Sequence, residues 1–465
     1  MHHSLPGEWC IPVLALYPTP NNFSGKSLVI RKKHVYLHIL CEDMLPEDFI
    51  RQMTTLLGTE RWEHMRQALD EEAPVSIRLN GMKSKGLRVA CADGQVPWCT
   101  DGWYLDHRPA FTFDPLLHAG VYYVQEASSM FIDHVLRQLV NRPVCMLDLC
   151  AAPGGKSTAA RNALPAGSLL VSNEPIGNRA QILEENIVKW GLADSIVTNN
   201  YPEDYGRMGE MFDVILCDVP CSGEGMFRKD MQAIGEWSLQ NVEKCWRLQR
   251  DIVGEAWKSL LPGGLLVYST CTFNTKENEE NIRFFMETLG AKPVAVETDP
   301  LWNITGSLLS GFNEPVYRFL PGTTRGEGLF LSVLRKDGDP KEGDKETVRK
   351  NVGKRLRTLF TDNMEPSVKG KNLIPVHAEA LSTGLDLAKY PMAEVSYGQA
   401  ISYLRHEAIT LPESTPRGIV VVCFKGHPLG FAKNIGNRAN NLYPQNWRIK
   451  SSHTPSEYET ILSPA

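Results

Sequence analysis

The feature that most constrains this fold is an apolar run entering a glycine turn and then a helix, Val-Cys-Met-Leu-Asp-Leu-Cys-Ala-Ala-Pro-Gly-Gly-Lys-Ser over residues 144–157. The acid Asp148 at the strand end and the small residues Ala151, Ala152, Gly154 and Gly155 let a ligand approach the backbone closely, as nucleotide-type ligands do at the carboxyl end of a parallel strand. A phosphate-binding loop of the Gly-x-x-x-x-Gly-Lys-Ser type would need glycine at position 150, which is Cys150, and the dinucleotide pattern Gly-x-Gly-x-x-Gly is missing. The remaining ligand-binding reading is a nucleoside pocket without a phosphate cradle, which suits S-adenosylmethionine (SAM). A plain tight strand-helix turn competes with it.

Downstream, strands and helices alternate, as in a parallel sheet covered on both faces. A strand over 168–174 ends in Glu174, about twenty residues beyond the glycines, the spacing at which a carboxylate grips ribose hydroxyls. A helix over 179–190 closes at Gly191, and strands follow over 195–200 and 212–218. Then comes Asp218-Val-Pro-Cys-Ser-Gly-Glu-Gly-Met-Phe, whose proline and glycines must leave the strand and place Cys221 on a loop. A helix over 239–261 ends at Pro262-Gly-Gly, and the next strand, 265–271, ends at Cys271. A helix over 275–289 and a late antiparallel strand over 328–335 complete the sheet.

Two cysteines at the carboxyl ends of neighbouring strands, beside a nucleoside pocket, suggest covalent catalysis, against the alternative of two buried structural thiols. Carbon 5 of cytosine is a poor nucleophile until a thiolate adds to carbon 6 and makes carbon 5 enamine-like. An acid beside the ring, here Asp218, offsets the charge that develops.

The 465 residues suffice for two to four domains. No apolar run reaches the roughly 18 residues of a membrane span, and the start Met-His-His-Ser is unlike a signal peptide, so a cytoplasmic protein is expected. Eleven cysteines without a Cys-x-x-Cys pair predict reduced thiols and no metal. A net charge of −5 decides nothing about nucleic acid. Residues 1–43 show no amphipathic period and are expected to be a dispensable tail. Helical spacing over 45–72 (Phe49, Met53, Leu57, Trp62, Met65, Leu69) predicts a helical pair, and 76–80 a strand. Arg108 is available for phosphate or base contacts, and His118 reads as structural. Residues 336–371 read as a linker or exposed basic helix. Near the end, Lys433, Arg438, Arg448 and Lys450 lie among Phe431, Tyr443 and Trp447, a mixture that suggests RNA contact on a β-rich module, although core packing explains the aromatics alone.

At this point the chain resembles the Sun-type family of RNA cytosine-C5 methyltransferases, through residues 148–157, Asp218-Val-Pro-Cys-Ser-Gly-Glu and Ser269-Thr-Cys. The segments Arg78-Leu-Asn, His118-Ala-Gly-Val-Tyr-Tyr-Val-Gln-Glu, Gly223-Glu-Gly-Met-Phe-Arg-Lys and Gly430-Phe-Ala-Lys-Asn-Ile-Gly-Asn-Arg are similar to its bacterial F-type branch, which acts on small-subunit rRNA. The resemblance implies that Cys271 is the nucleophile and Cys221 assists release, with Asp218 and Lys156 in the catalytic set. It implies that Cys150, Ala151, Ala152, Pro153, Gly154, Gly155, Lys156, Glu174 and Asp218 hold SAM and the base. The implied fold class is α/β, a Rossmann-like SAM-dependent methyltransferase sheet with a small α+β N-terminal region and a C-terminal PUA-like β-rich domain. The expected boundaries are 1–43 tail, 44–120 N-terminal RNA-binding region, 121–336 methyltransferase domain, 337–370 basic linker and 371–465 PUA-like domain. The expected partner is rRNA, within the small ribosomal subunit, bound by a monomer that touches no membrane. A tRNA substrate or a non-catalytic assembly factor are the competing readings. The chain departs from the family in two ways: Asn199, Asn200 and Tyr201 stand where an acid usually contacts the adenine side, and the stretch before the terminal domain is short.

Overall fold

The computed structural model describes residues 45–369, 372–386, 388–453, 455 and 457–465, so the expectation for residues 1–43 lies outside the described residues. Helices α1 (Glu47–Leu57) and α2 (Thr59–Asp70) form the predicted pair. Pro46 precedes α1, and Glu47 and Asp48 complement its N-terminal dipole. The apolar residues at helical spacing are buried, but their partners are Phe227, Trp237 and Phe273, so the pair packs on the segments that follow Cys221 and Cys271. An antiparallel sheet of order β3-β4-β1-β5 follows, made of β1 (Val75–Leu79), β3 (Ala92–Gln95), β4 (Gly102–Leu105) and β5 (Tyr122–Val124). Strand β2 (Leu87–Val89) lies outside it, and α3 (Pro115–His118) is a single turn.

The central domain runs α4 (Phe131–Leu139), β6 (Cys145–Asp148), α5 (Gly155–Ala163), β7 (Leu169–Asn173), α6 (Gly177–Trp190), β8 (Ser195–Thr198), α7 (Pro202–Gly206), β9 (Phe212–Asp218), α8 (Met231–Glu236), α9 (Leu239–Ser259) and β10 (Leu260–Thr270). It continues through α10 (Glu279–Leu289), β11 (Lys292–Val294), β12 (Tyr317–Phe319), β13 (Leu329–Arg335), α11 (Lys345–Arg355) and β14 (Thr358–Thr361). Strands β10, β9, β6, β7 and β8 are parallel in that order, and β13 lies antiparallel on β10. The strands are buried on both faces, which accounts for their near-continuous apolar runs. Helix α9 stops at Ser259, and Pro262-Gly-Gly forms a bulge inside β10, where the pairing with β9 shifts between Leu260 and Leu265. The helix expected from residue 275 begins at Glu279, because residues 274–278 are drawn into a buried polar network.

The segment 337–370 is more than the expected basic linker. Helix α11 puts Val348 and Val352 into the main core, and β14 pairs antiparallel with β8 as the outer strand of the sheet. Two of its basic residues are held by ion pairs: Arg349 pairs with Asp194 and Asp362, and Lys345 with Asp194. A few buried apolar positions among many charges outweighed the overall composition.

The C-terminal region holds β15 (Ser367–Lys369), β16 (Asn372–Ile374), α12 (His377–Leu381), β17 (Met392–Glu394), α13 (Tyr397–Leu404), β18 (Gly418–Phe424), β19 (His427–Asn434), β20 (Ala439–Asn441) and β21 (Leu462–Pro464). Its sheet runs β17-β18-β19-β20, and β21 reaches back to pair with β2. Ile77, Leu79 and Tyr122 share one core with Ile401, Leu404, Val420 and Val422, so the two flanking regions are fused. Of the two readings of the aromatics, core packing holds for Phe431 and Tyr443, which are each only 1% exposed and belong to the interior. Arg438, Arg448 and Lys450 remain exposed, which leaves phosphate contact as their available role. Replacing these three by alanine is expected to lower the log–log salt slope of RNA binding by roughly 0.7 to 0.9 for each phosphate no longer neutralised. An unchanged slope in filter-binding titrations would remove this face from the RNA interface. Among the described residues, no helix is long and apolar enough to cross a membrane, and no cluster of three His, Cys, Asp or Glu could hold a metal.

Candidate active site

Strand β6 delivers Asp148 and the turn 149–154 to the carboxyl edge of the sheet. Gly154 caps α5 at φ 114°, a conformation open to glycine and poorly to other residues. The turn is tied down by its neighbours: Ala151 N–H donates to Asn173 O at 2.8 Å, Asn173 Nδ2 to Leu149 O at 3.0 Å, Arg179 to Ala152 O at 3.0 Å and Asn186 Nδ2 to Pro153 O at 2.8 Å. Beneath it lies Arg78, fully buried, donating to Gln125 Oε1 at 2.8 Å and Thr158 Oγ1 at 2.5 Å and stacked over Trp190. The Arg78-Leu-Asn segment thus anchors the N-terminal sheet to the glycine turn, and Asn80 Nδ2 completes the joint by donating to Gly120 O and Trp190 O.

A slot lined by Cys150, Glu174, Pro175, Ile176, Arg179, Pro202, Pro220 and Ile252 opens beside the turn. Glu174, at the end of β7, is 1% exposed and accepts Ile176 N–H at 3.0 Å through Oε1. Its Oε2 has no hydrogen-bond partner, although the Arg179 guanidinium lies 3.5 Å away. Burial raises the Glu174 pKa, and Arg179 opposes that. Asp148 is wholly buried, with Ser157 Oγ donating to Oδ2 at 2.6 Å and Oδ1 unpartnered. Burial pushes its carboxyl up to about 7. Such a carboxyl contributes most to stability while protonated, below its unfolded pKa of about 3.9, and loses that contribution as pH rises through about 7. Asp148→Asn is therefore expected to gain melting temperature relative to the native chain between pH 5 and pH 8. A difference that does not vary with pH would contradict this environment for Asp148.

Asn199 and Asn200 do structural work where the family's acid was expected. Asn199 Nδ2 donates to Glu174 O at 2.8 Å and Pro175 O at 2.9 Å, and Asn200 exchanges hydrogen bonds with the Arg357 backbone. These asparagines join the Glu174 turn to the added outer strand.

The catalytic candidates meet at the ends of β9 and β10. Lys156 Nζ lies 2.9 Å from Asp218 Oδ2, and Ser269 Oγ donates to Asp218 Oδ1 at 2.7 Å. Burial works to lower the Lys156 pKa, but the Asp218 carboxylate outweighs it and the net shift is upward, so the ammonium stays charged. The sulfurs of Cys221 and Cys271 stand 3.4 Å apart, both half-buried. The Cys271 contact, then burial, raise the Cys221 thiol well above the ordinary range. Gly225 N–H donates to Cys271 O at 2.7 Å, and a Cβ at Gly225 would sit 2.4 Å from that oxygen, so glycine is required for the loops to touch. Every residue expected in the catalytic and cofactor sets thus lies along this one edge. Cys150 lines the slot beside the turn, and burial raises its thiol well above the ordinary range.

Sequence reasoning missed the layer behind the thiols. Glu224 accepts Phe273 N–H at 2.5 Å, Asn274 N–H at 3.0 Å and Trp237 Nε1 at 3.1 Å, while Glu277 accepts Ser222 N–H at 3.0 Å and Gln249 Nε2 at 2.7 Å. The available signal was the polar run Asn274-Thr-Lys-Glu-Asn-Glu, which opens a helix yet is largely buried.

Known proteins resemble this chain along most of its described length. The family model described as 16S rRNA methyltransferase RsmB/F matches residues 137–335, the N-terminal domain of RsmF matches 45–127, and the RsmF PUA domain matches 392–449. The ribosomal RNA small subunit methyltransferase F of Erwinia tasmaniensis is 28% identical over 86% of this chain and 96% of its own length. That of Photobacterium profundum is 29% identical over the same shares. Among solved structures, a methyltransferase homolog from Pyrococcus horikoshii superposes with a TM-score of 0.53 at 24% identity, covering 67% of this chain and all 100% of that one. NSun6 from the same organism gives 0.52 at 22% identity, covering 64% and 99%, and both likenesses bear on the fold alone. With three domain matches in the same order along its length, the chain belongs to the RsmB/F family of 16S rRNA methyltransferases, on its RsmF-type branch.

Proposed function

We propose that this chain is a SAM-dependent RNA methyltransferase that modifies carbon 5 of a cytosine in 16S rRNA, within the small ribosomal subunit. The observation that carries the reading is the pair of thiols 3.4 Å apart, next to the Lys156–Asp218 ion pair, at the ends of adjacent strands. Two buried carboxylate oxygens without hydrogen-bond partners, Glu174 Oε2 and Asp148 Oδ1, suit the hydroxyl and ammonium donors of SAM. The apolar side chains of Pro175, Ile176, Pro202, Pro220 and Ile252 suit a flat base between them. SAM supplies an electrophilic methyl group on a sulfonium centre.

The chain's own residues carry the other steps. A cytosine turned out of the RNA presents carbon 6 to Cys271, whose thiolate forms the S–C6 bond while the displaced π electrons move onto the ring. Lys156 holds that charge by donating a hydrogen bond to the carbonyl edge, while the Asp218 carboxylate accepts from the exocyclic amine and orients the ring. Carbon 5, now enamine-like, takes the methyl group. The carbon 5 proton then passes to water, which the partly exposed Asp218 admits, and the S–C6 bond breaks with its electron pair returning to Cys271. Cys221, kept protonated, donates a hydrogen bond to the departing sulfur.

Glu174→Ala is expected to weaken SAM binding by about 10- to 150-fold, the loss of a charged hydrogen-bond partner worth roughly 1.5 to 3 kcal/mol, with RNA affinity unchanged. Calorimetry returning native SAM affinity would take Glu174 out of the pocket. The reading as a whole is tested by incubating the protein with methyl-labelled SAM and either 16S rRNA, small subunits or tRNA. Transfer to the ribosomal substrates supports it, and transfer confined to tRNA overturns the substrate.

A further inference from the structure

Behind the two thiols lies a buried polar layer that the reaction scheme does not use. Glu277 is wholly buried, in the turn between Cys271 and α10. Its Oε2 accepts Ser222 N–H at 3.0 Å and Gln249 Nε2 at 2.7 Å, and Gln249 Nε2 also donates to Pro220 O at 2.9 Å. Cys221 is therefore gripped through the backbone on both sides, with Glu277 at the centre of the grip. The other carboxylate oxygen, Oε1, accepts Asn274 Nδ2 at 2.8 Å, and that amide also donates to Glu224 Oε1 at 3.0 Å. Glu224 in turn receives the backbone N–H groups of Phe273 and Asn274, just past Cys271. Ser222 and Thr272, the neighbours following each cysteine, share a hydroxyl contact of 2.9 Å.

Two carboxylates and one amide thus tie the loop of one thiol to the loop of the other. Resting on the proposed covalent mechanism, we propose that Glu277 is a positioning residue of the methyl transfer, its carboxylate clamping the Cys221 loop onto the Cys271 loop at the spacing that release of the product needs. A structural carboxylate could be replaced by an amide of equal shape at little functional cost. This one cannot, because its acceptors face donors on three sides: Ser222 N–H, Gln249 Nε2 and Asn274 Nδ2. An amide would turn an NH₂ group toward one of them. The Glu277 charge also faces Cys221, Cys245, Tyr268 and Glu224, the titratable groups packed around it. Burial, then the Glu224 charge, push its own carboxyl up to about 7, so the clamp is part-neutral near neutral pH and complete above it. The same charge adds to the forces holding Cys221 protonated.

The experiment compares the full-length native protein with Glu277→Gln, Glu277→Asp and Gln249→Met, using small-subunit rRNA and labelled SAM. Glu277→Gln is expected to lower kcat by about tenfold or more while leaving KM for SAM and for RNA within about twofold, and to accumulate a covalent protein–RNA band on a denaturing gel. Glu277→Asp should restore part of the turnover and reduce the band. Gln249→Met, which removes the shared donor to Pro220 and Glu277, should accumulate the same band even if Glu277→Gln does not fold. In the free protein, iodoacetamide labelling of Cys221 read by mass spectrometry should move its midpoint to lower pH in Glu277→Gln, because a facing like charge is gone. No band in any variant, together with an unmoved labelling midpoint, overturns the clamp. If the native protein itself methylates no RNA, the functional reading fails separately, and the labelling shift still decides the role of Glu277.

Discussion

Cys271→Ala is expected to abolish both methylation and any protein–RNA adduct, whereas Cys221→Ala is expected to leave RNA covalently held on Cys271. The two sulfurs are only 3.4 Å apart, so proximity does not separate their roles, and the covalent intermediate does. Without the Cys271 thiolate no bond to carbon 6 forms, and carbon 5 stays unreactive. Without Cys221 the bond forms and the methyl group transfers, but the departing sulfur lacks its hydrogen-bond donor and the product stays attached. A slower band on a denaturing gel, sensitive to ribonuclease, reads this directly. A band present in Cys271→Ala and missing in Cys221→Ala would reverse the assignment.

The second large effect is on stability. Arg318 and Glu279 are both fully buried, joined by the guanidinium nitrogens Nε, at 2.7 Å from Oε1, and Nη2. Arg318 also donates to Phe273 O at 2.7 Å and lies over the Phe330 ring. The pair therefore fastens the chain two residues beyond Cys271 to the first turn of α10 and to β12. Arg318→Met leaves the Glu279 carboxylate buried with Leu308 N–H as a remaining donor, and removing one partner of a buried pair costs about 3 to 5 kcal/mol. Chemical denaturation should show that loss, and the double replacement Arg318→Met, Glu279→Leu should recover much of it. A loss below about 1 kcal/mol in the single variant would mean that water reaches the site.

The parts of the site legible in the sequence are those whose chemistry is local. A strand running into Ala-Ala-Pro-Gly-Gly fixes the turn, an acid ending the next strand fixes Glu174, and a proline or a strand end beside each cysteine puts Cys221 and Cys271 at the sheet's edge. Long-range pairings were not legible. Residues 358–361 join β8 across more than 150 positions of chain, and nothing in their own composition names that partner. The same holds for β2 and β21, which close the chain's two flanks on each other. For Phe431 and Tyr443 both readings stay open in the sequence, because an aromatic among basic residues looks alike whether it faces RNA or a core; burial decides for the core. Glu224 and Glu277 escaped notice for a related reason. Carboxylates near a helix start usually cap it in solvent, and only the folded chain brings Asn274, Gln249 and the two cysteine loops around them.

On the proposed mechanism, a methyl group from SAM ends on carbon 5 of a cytosine in small-subunit rRNA. Nucleoside mass spectrometry of rRNA treated with the native protein and labelled SAM tests it most directly. Labelled 5-methylcytidine is the expected product, and it should be absent with Cys271→Ala. Label recovered on another base, on another atom of cytosine, or undiminished in Cys271→Ala would contradict it.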